Sequence, residues 1–124
     1  MQVPILKQGD YLIASVQAAL TDADLIQLRD GLCERVGQLR SRGVIVDVTA
    51  LDVMDSFGCR TLRGIAQMVR LRGAETVIAG IQPEVAFAMI QLGLRLDGVE
   101  TALDLEEGLA MLAHLTNGSR VHAD

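Results

Sequence analysis

Tryptophan is absent from this 124-residue chain, and one tyrosine and two phenylalanines are its only aromatics. Base stacking, sugar platforms and aromatic cages all need π faces, so the composition argues against these modes of recognition. Lysine is scarce as well, although ten arginines bring the basic residues to eleven against sixteen acidic ones. Lys7 is the single lysine, and the formal net charge is −5, which argues against nucleic-acid binding. The only histidines are His114 and His122, and no HxH, HExxH or Cys/His spacing marks a metal site. Walker A, GxGxxG and GxSxG patterns are missing too, so no cofactor is expected. Cys33 and Cys59 form no CxxC and read as buried reduced thiols. No apolar run is long enough to span a bilayer. The opening Met-Gln-Val-Pro has no basic stretch followed by an apolar one. The expectation is a cytoplasmic protein without a membrane segment.

Aliphatic residues make up for the missing aromatics: half the chain is hydrophobic. A chain of this length fits one domain with a core of its own. Residues 3–7 and 11–17 read as short strands around a Gly9-Asp10 turn. Thr21 is a good N-cap for a helix with the stripe Leu25, Leu28, Leu32, Val36 and Leu39, ended by Gly43. Residues 44–48, Val-Ile-Val-Asp-Val, read as a buried central strand. A second helix is predicted over 56–72, with Leu62, Ile65, Ala66 and Val69 on one face and Gly73 as its stop. A strand follows over 75–80. Pro83 then opens a helix with Val85, Met89 and Leu92, stopped by Gly93. A short strand covers 99–102. Asp104 and Glu107 resemble a capping box before Leu105, Leu109 and Leu112. The order β-β-α-β-α-β-α-β-α implies an α/β fold with a mostly parallel sheet covered by helices. Residues 1–115 form the single domain, and 116–124 read as a flexible tail.

Chemistry concentrates in one place. Asp47, Asp52 and Asp55 follow the central strand, where a Mg²⁺ site or a phosphoaspartyl receiver would sit. A receiver also wants a lysine late in the fold, and Lys7 is early. The acids are better read as satisfying loop amides and capping the next helix. Asp55 or Ser56 is such a cap, ahead of Phe57. A cap position is also compatible with phosphate, because a helix N-terminus offers free amides and a positive dipole end. Neither histidine is placed to act as a base for Ser56, so a Ser56-dependent hydrolase is the weaker reading.

The residues around this point resemble a known family. The matching segments are Val3-Pro4-Ile5-Leu6-Lys7, Val46-Asp47-Val48-Thr49, Met54-Asp55-Ser56-Phe57, Gly80-Ile81-Gln82-Pro83 and Glu100-Thr101-Ala102-Leu103-Asp104-Leu105. Together with the element order, they resemble STAS domains, the sulfate-transporter and anti-sigma-factor-antagonist family, and within it the scaffolds of the bacterial stressosome. The resemblance implies a STAS fold and a non-enzymatic phosphoprotein of the stress response. It implies Ser56 as phosphate acceptor, with Asp52, Asp55, Phe57 and Gly58 shaping the kinase-docking surface. The implied partners are a second copy in a homodimer, RsbR-type STAS proteins, an RsbT-type serine kinase and an RsbX-type phosphatase. Gly58-Cys59-Arg60 departs from the apolar helix start of the scaffolds. Gly58 instead matches the Asp-Ser-x-Gly pattern of stand-alone anti-sigma factor antagonists, the alternative reading. Phe87 and Met68 are candidates for an assembly surface.

Overall fold

The computed structural model describes residues 2–123, with side chains through Asn117. Nine elements follow one another: β1 (Ile5–Gln8), β2 (Tyr11–Ser15), α1 (Asp22–Leu39), β3 (Gly43–Asp47), α2 (Ser56–Leu71), β4 (Glu75–Ala79), α3 (Pro83–Gln91), β5 (Glu100–Ala102) and α4 (Leu105–Ala123). The strands form one sheet in the order β1-β2-β3-β4-β5. β1 and β2 make an antiparallel hairpin across Gly9, whose φ of 60° suits a residue without a side chain. All later pairs are parallel. The α/β architecture expected from the alternation is the one observed.

The centre of the sheet explains the layers. Val44, Ile45 and Val46 on β3 are all fully buried. Successive side chains on a strand point to opposite faces, so both faces of β3 need cover. Val44 and Val46 join a core with Leu28, Leu32 and Val36 of α1, Leu62, Ile65 and Val69 of α2, and Val85 and Met89 of α3. Ile45 faces the other way, into a smaller core with Val77, Ala79 and Leu112 of α4. Three helices therefore cover one face, and α4 packs on β3, β4 and β5 across the other. Each fully buried aliphatic side chain contributes roughly 1.5–3 kcal/mol relative to exposure.

Helix ends follow local chemistry. Thr21 and Asp24 form a reciprocal capping box, each side chain bonded to the other's amide at 3.1 Å. Gly73 and Gly93 stop α2 and α3 in the left-handed region, at φ 90° and 70°. At α1 the expected stop was wrong. The helix ends at Leu39, and Arg40 takes the left-handed conformation at φ 52°. Gly43 instead opens β3 under Leu112: a Cβ there would lie 2.9 Å from both Leu112 methyls. Its lack of a side chain serves packing rather than helix termination. Two stripe residues are also corrected. Leu39 and Leu92 are exposed, because each lies past the last turn that faces the sheet. Leu25 is half-buried. β2 stops at Ser15, two residues before the expected end. The tail expected over 116–124 falls mostly on residues 118–124, His122 among them, whose side chains lie outside those described.

One buried polar atom gives a test. Thr76 on β4 is 4% exposed, and its hydroxyl has no partner among the described residues. An unsatisfied buried hydroxyl costs about 1–3 kcal/mol. Thr76→Val keeps the branched shape and removes that cost. The expected outcome is a Tm a few degrees above the parent in thermal unfolding monitored by circular dichroism.

Candidate functional site

In parallel α/β sheets, ligands and partners meet the loops at the carboxyl ends of the strands. Here the loop after β3, residues 48–55, delivers the chain into α2 at that edge. Asp47, at the end of β3, does not point toward an open metal site. Its Oδ1 accepts the Thr49 amide at 3.0 Å and the Thr49 hydroxyl at 2.6 Å. The Thr49 carbonyl in turn accepts a hydrogen bond from Gln82 Nε2 at 2.7 Å. Gly80 sits tight against this brace: its φ is 83°, and a Cβ would collide with Thr49 Oγ1. The Gly80-Ile81-Gln82-Pro83 turn thus serves structure by holding the loop that leads to Ser56.

Asp55 is the N-cap of α2. Its backbone is extended, and its Oδ1 accepts the Gly58 amide at 2.7 Å. Ser56 is therefore the first helical residue rather than the cap. It is exposed, and its hydroxyl has no hydrogen-bond partner among the described residues. Asp52 is exposed in the loop, Phe57 is half-buried, and Gly58 is buried. A Cβ on Gly58 would lie 3.3 Å from Asp55 Oδ1 and 3.6 Å from Met54 Cγ. The small residue lets the cap sit close to the helix, which accounts for the departure in the sequence pattern. Phe57 offers its carbonyl to the Thr61 hydroxyl at 2.8 Å. The structure thus places Asp52, Asp55 and Ser56 on the surface, next to half-buried Phe57 and buried Gly58. Asp47 turns away into the brace.

Beside the cap lies an apolar recess of about 90 Å³. Val16, Leu20 and Leu25 line it from the segment leading into α1, and Val48, Met54, Asp55, Gly58 and Leu62 from the segment leading into α2. Sequence reasoning missed this feature, as it missed Thr49. Helical spacing shows which residues face inward. It carries no signal for where two loops fail to close over them.

The two thiols are buried and free. Burial pushes the Cys59 thiol up, against a partial lowering by Arg63, and the thiol donates a hydrogen bond to the Arg95 carbonyl at 3.2 Å. Burial likewise raises Cys33, helped by Asp30. Both stay protonated at neutral pH, so neither is a ready nucleophile. Among the described residues, no group of three or more His, Cys, Asp or Glu is placed to hold a metal ion. No helix there is long and apolar enough to cross a membrane. His114 is exposed on α4.

Residues 2–108 match the family model for the STAS domain. The chain belongs to the STAS-domain family. Among solved structures, it superposes on a serine-to-glutamate variant of RsbS from Moorella thermoacetica with a TM-score of 0.80 and 35% identity. That match covers 94% of this STAS chain and 99% of the other. A chain from a solved stressosome, described as a signal integration and transduction hub, matches with a TM-score of 0.75 and 36% identity, covering 91% and 98% of the two chains. The RsbT co-antagonist protein RsbRA of Bacillus subtilis is 31% identical over 91 residues, 73% of this chain. This STAS chain spans about a third of the length of that curated relative.

Two outcomes are expected from the site's local physics. Asp55→Ala removes the cap and lowers stability by about 1 kcal/mol, whereas Asp55→Asn retains most of it, as read by urea unfolding. The raised thiols set a pH dependence. The unfolded chain loses its thiol protons from about the ordinary value of 9.0, while the folded chain still holds them. Stability therefore falls as pH rises above that value and is fully present below it. The fall should be shallower in a Cys33→Ala, Cys59→Ala double variant than in the parent.

Proposed function

We propose that this STAS protein is a non-enzymatic scaffold and phosphoswitch of a stressosome-type assembly, similar in role to RsbS. It pairs with a second copy, co-assembles with RsbR-type STAS proteins and holds an RsbT-type serine kinase. Phosphorylation of Ser56 then helps to release that kinase, and an RsbX-type phosphatase resets the switch. The match along nearly the whole of RsbS and of a stressosome chain supports the assembly, as does the likeness to an RsbT co-antagonist.

One observation carries the choice of Ser56. Asp55 takes the capping task, so the Ser56 hydroxyl is exposed and free of hydrogen bonds to the described residues. A phosphate there costs the fold no hydrogen bond, and the first-turn amides are at hand for it. It adds roughly −1.5 to −2 charges beside Asp55 and Asp52. A partner docked on this surface must then desolvate the phosphate or withdraw. Each loss of about 1.4 kcal/mol is a tenfold drop in affinity. The switch changes binding while the core stays as it is.

An assembly also needs sticky surface, and α3 has it. Phe87 is 62% and Ile90 77% exposed. Met68 on α2 is exposed as well. These apolar side chains favour the scaffold over the rival reading of a stand-alone anti-sigma factor antagonist, which forms no large particle. The same surfaces without a base near Ser56 suit binding rather than hydrolysis.

Incubation with an RsbT-type kinase and ATP, followed by mass spectrometry, should place one phosphate on Ser56 and none on a Ser56→Ala variant. Phosphate elsewhere with Ser56 untouched would sink the assignment. Size-exclusion chromatography with an RsbR-type protein should yield a very large co-complex. Separate elution of the two proteins would favour the stand-alone antagonist.

A further inference from the structure

We propose that the recess beside Ser56 seats one aliphatic side chain of the bound partner, presented from a surface whose neighbouring residues are arginine or lysine. The inference rests on the reading of the Ser56 surface as the place where the kinase is held, and it gives that partner's chemistry.

Size decides what the recess takes. At about 90 Å³ it is smaller than the roughly 150 Å³ cavity that accepts benzene. A leucine-sized group fits, and a nucleotide or a flat cofactor does not. The lining decides polarity. Val16, Leu25, Val48, Met54 and Leu62 offer no hydrogen bonds to a polar ligand. Val53, which also lines the recess, is 61% exposed in the loop that leads to Ser56. An apolar side chain so exposed gains about 25 cal/mol for each Å² that a partner covers.

Charge decides what surrounds the anchor. The recess is built from two stretches, residues 16–28 and 47–62. Across them Arg60 is the one basic residue, against Asp22, Asp24, Asp47, Asp52 and Asp55. Asp22, Asp52 and Asp55 are all exposed there, on the first turn of α1 and on either side of Met54. An apolar hollow lined by one carboxylate, with further exposed carboxylates in the same two stretches, complements an apolar knob among basic residues. It repels an acidic surface, a bias that acts on association rate and partner choice.

The recess is also continuous with the switch. Asp55, which caps α2 immediately before Ser56, lines it, and so does Gly58, two residues after Ser56. A partner anchored in the hollow therefore covers the hydroxyl, so a phosphate on Ser56 parts the two by its bulk and its hydration rather than by charge.

The test uses the unmodified full chain and the purified kinase without ATP, with affinity measured by calorimetry over a range of salt concentrations. Ala19→Phe fills the recess from the exposed loop before α1 and leaves the Asp55 cap untouched. Val53→Asp places a charge at its mouth on a side chain already largely in water. Each variant, checked for folding by circular dichroism, should bind at least tenfold more weakly than the parent. Asp52→Asn should bind more weakly at low salt and show a flatter salt dependence. Should Ala19→Phe fail to fold, Val53→Asp decides alone. Parental affinity in the folded variants overturns the proposal, and so does binding that strengthens with added salt. Mass spectrometry of parallel samples with ATP reads the switch separately. Phosphate on Ser56 with binding indifferent to the recess overturns the recess alone. An unmodified Ser56 with binding still lost in the variants overturns the switch and leaves the recess standing.

Discussion

A strand buried on both faces cannot be covered from one side, and β3 imposes that constraint on everything around it. Val44 and Val46 need helices on one face, and Ile45 needs one on the other. Parallel neighbours on either side of β3 then require crossovers, which α1 and α2 supply. The crossovers run back along the sheet, so each begins at the carboxyl edge. This is why the loop after β3, the start of α2 and the start of α1 meet at one end. The site follows from the burial of the central strand.

Within that end, a single carboxylate divides the labour. Asp55 occupies the capping position, and its bond to Gly58 holds the first turn. The next residue keeps its hydroxyl for other business. A serine at the cap itself would have its oxygen engaged with the helix, and modifying it would remove the cap. With Asp55 in place, the helix start and the modifiable group are separate side chains. The Thr49–Gln82 bond holds the approaching loop from the other side. The surface is firm although it lies on a loop.

Much of the fold was legible because the strongest signals were periodic. The β-branched run of β3 and the stripe Leu62, Ile65, Ala66 and Val69 of α2 read correctly, and the last four are all buried. The ends were harder. Gly43 looked like a helix stop because glycine often is one. Its real constraint is a contact with Leu112, some seventy residues away, roughly the separation that local patterns cannot carry. Leu39 and Leu92 continued their stripes in sequence but not in space. At the site, the acid and serine residue types were visible, but the division between them was not. Either residue satisfies the cap pattern, and only backbone geometry tells which does. The recess was invisible because it is a shortfall in packing between separate segments.

The brace between the two loops also has a historical side. Gly80 has no room for a side chain while Thr49 stands where it does. A larger residue at 80 would need less bulk at 49 and also a different turn, because a φ of 83° strains any side chain. Less bulk at 49 gives up the hydroxyl that satisfies Asp47. Three positions in separate strands and loops are thus linked in how they can change. The route into that corner of sequence space is narrow, and the route back is narrower still.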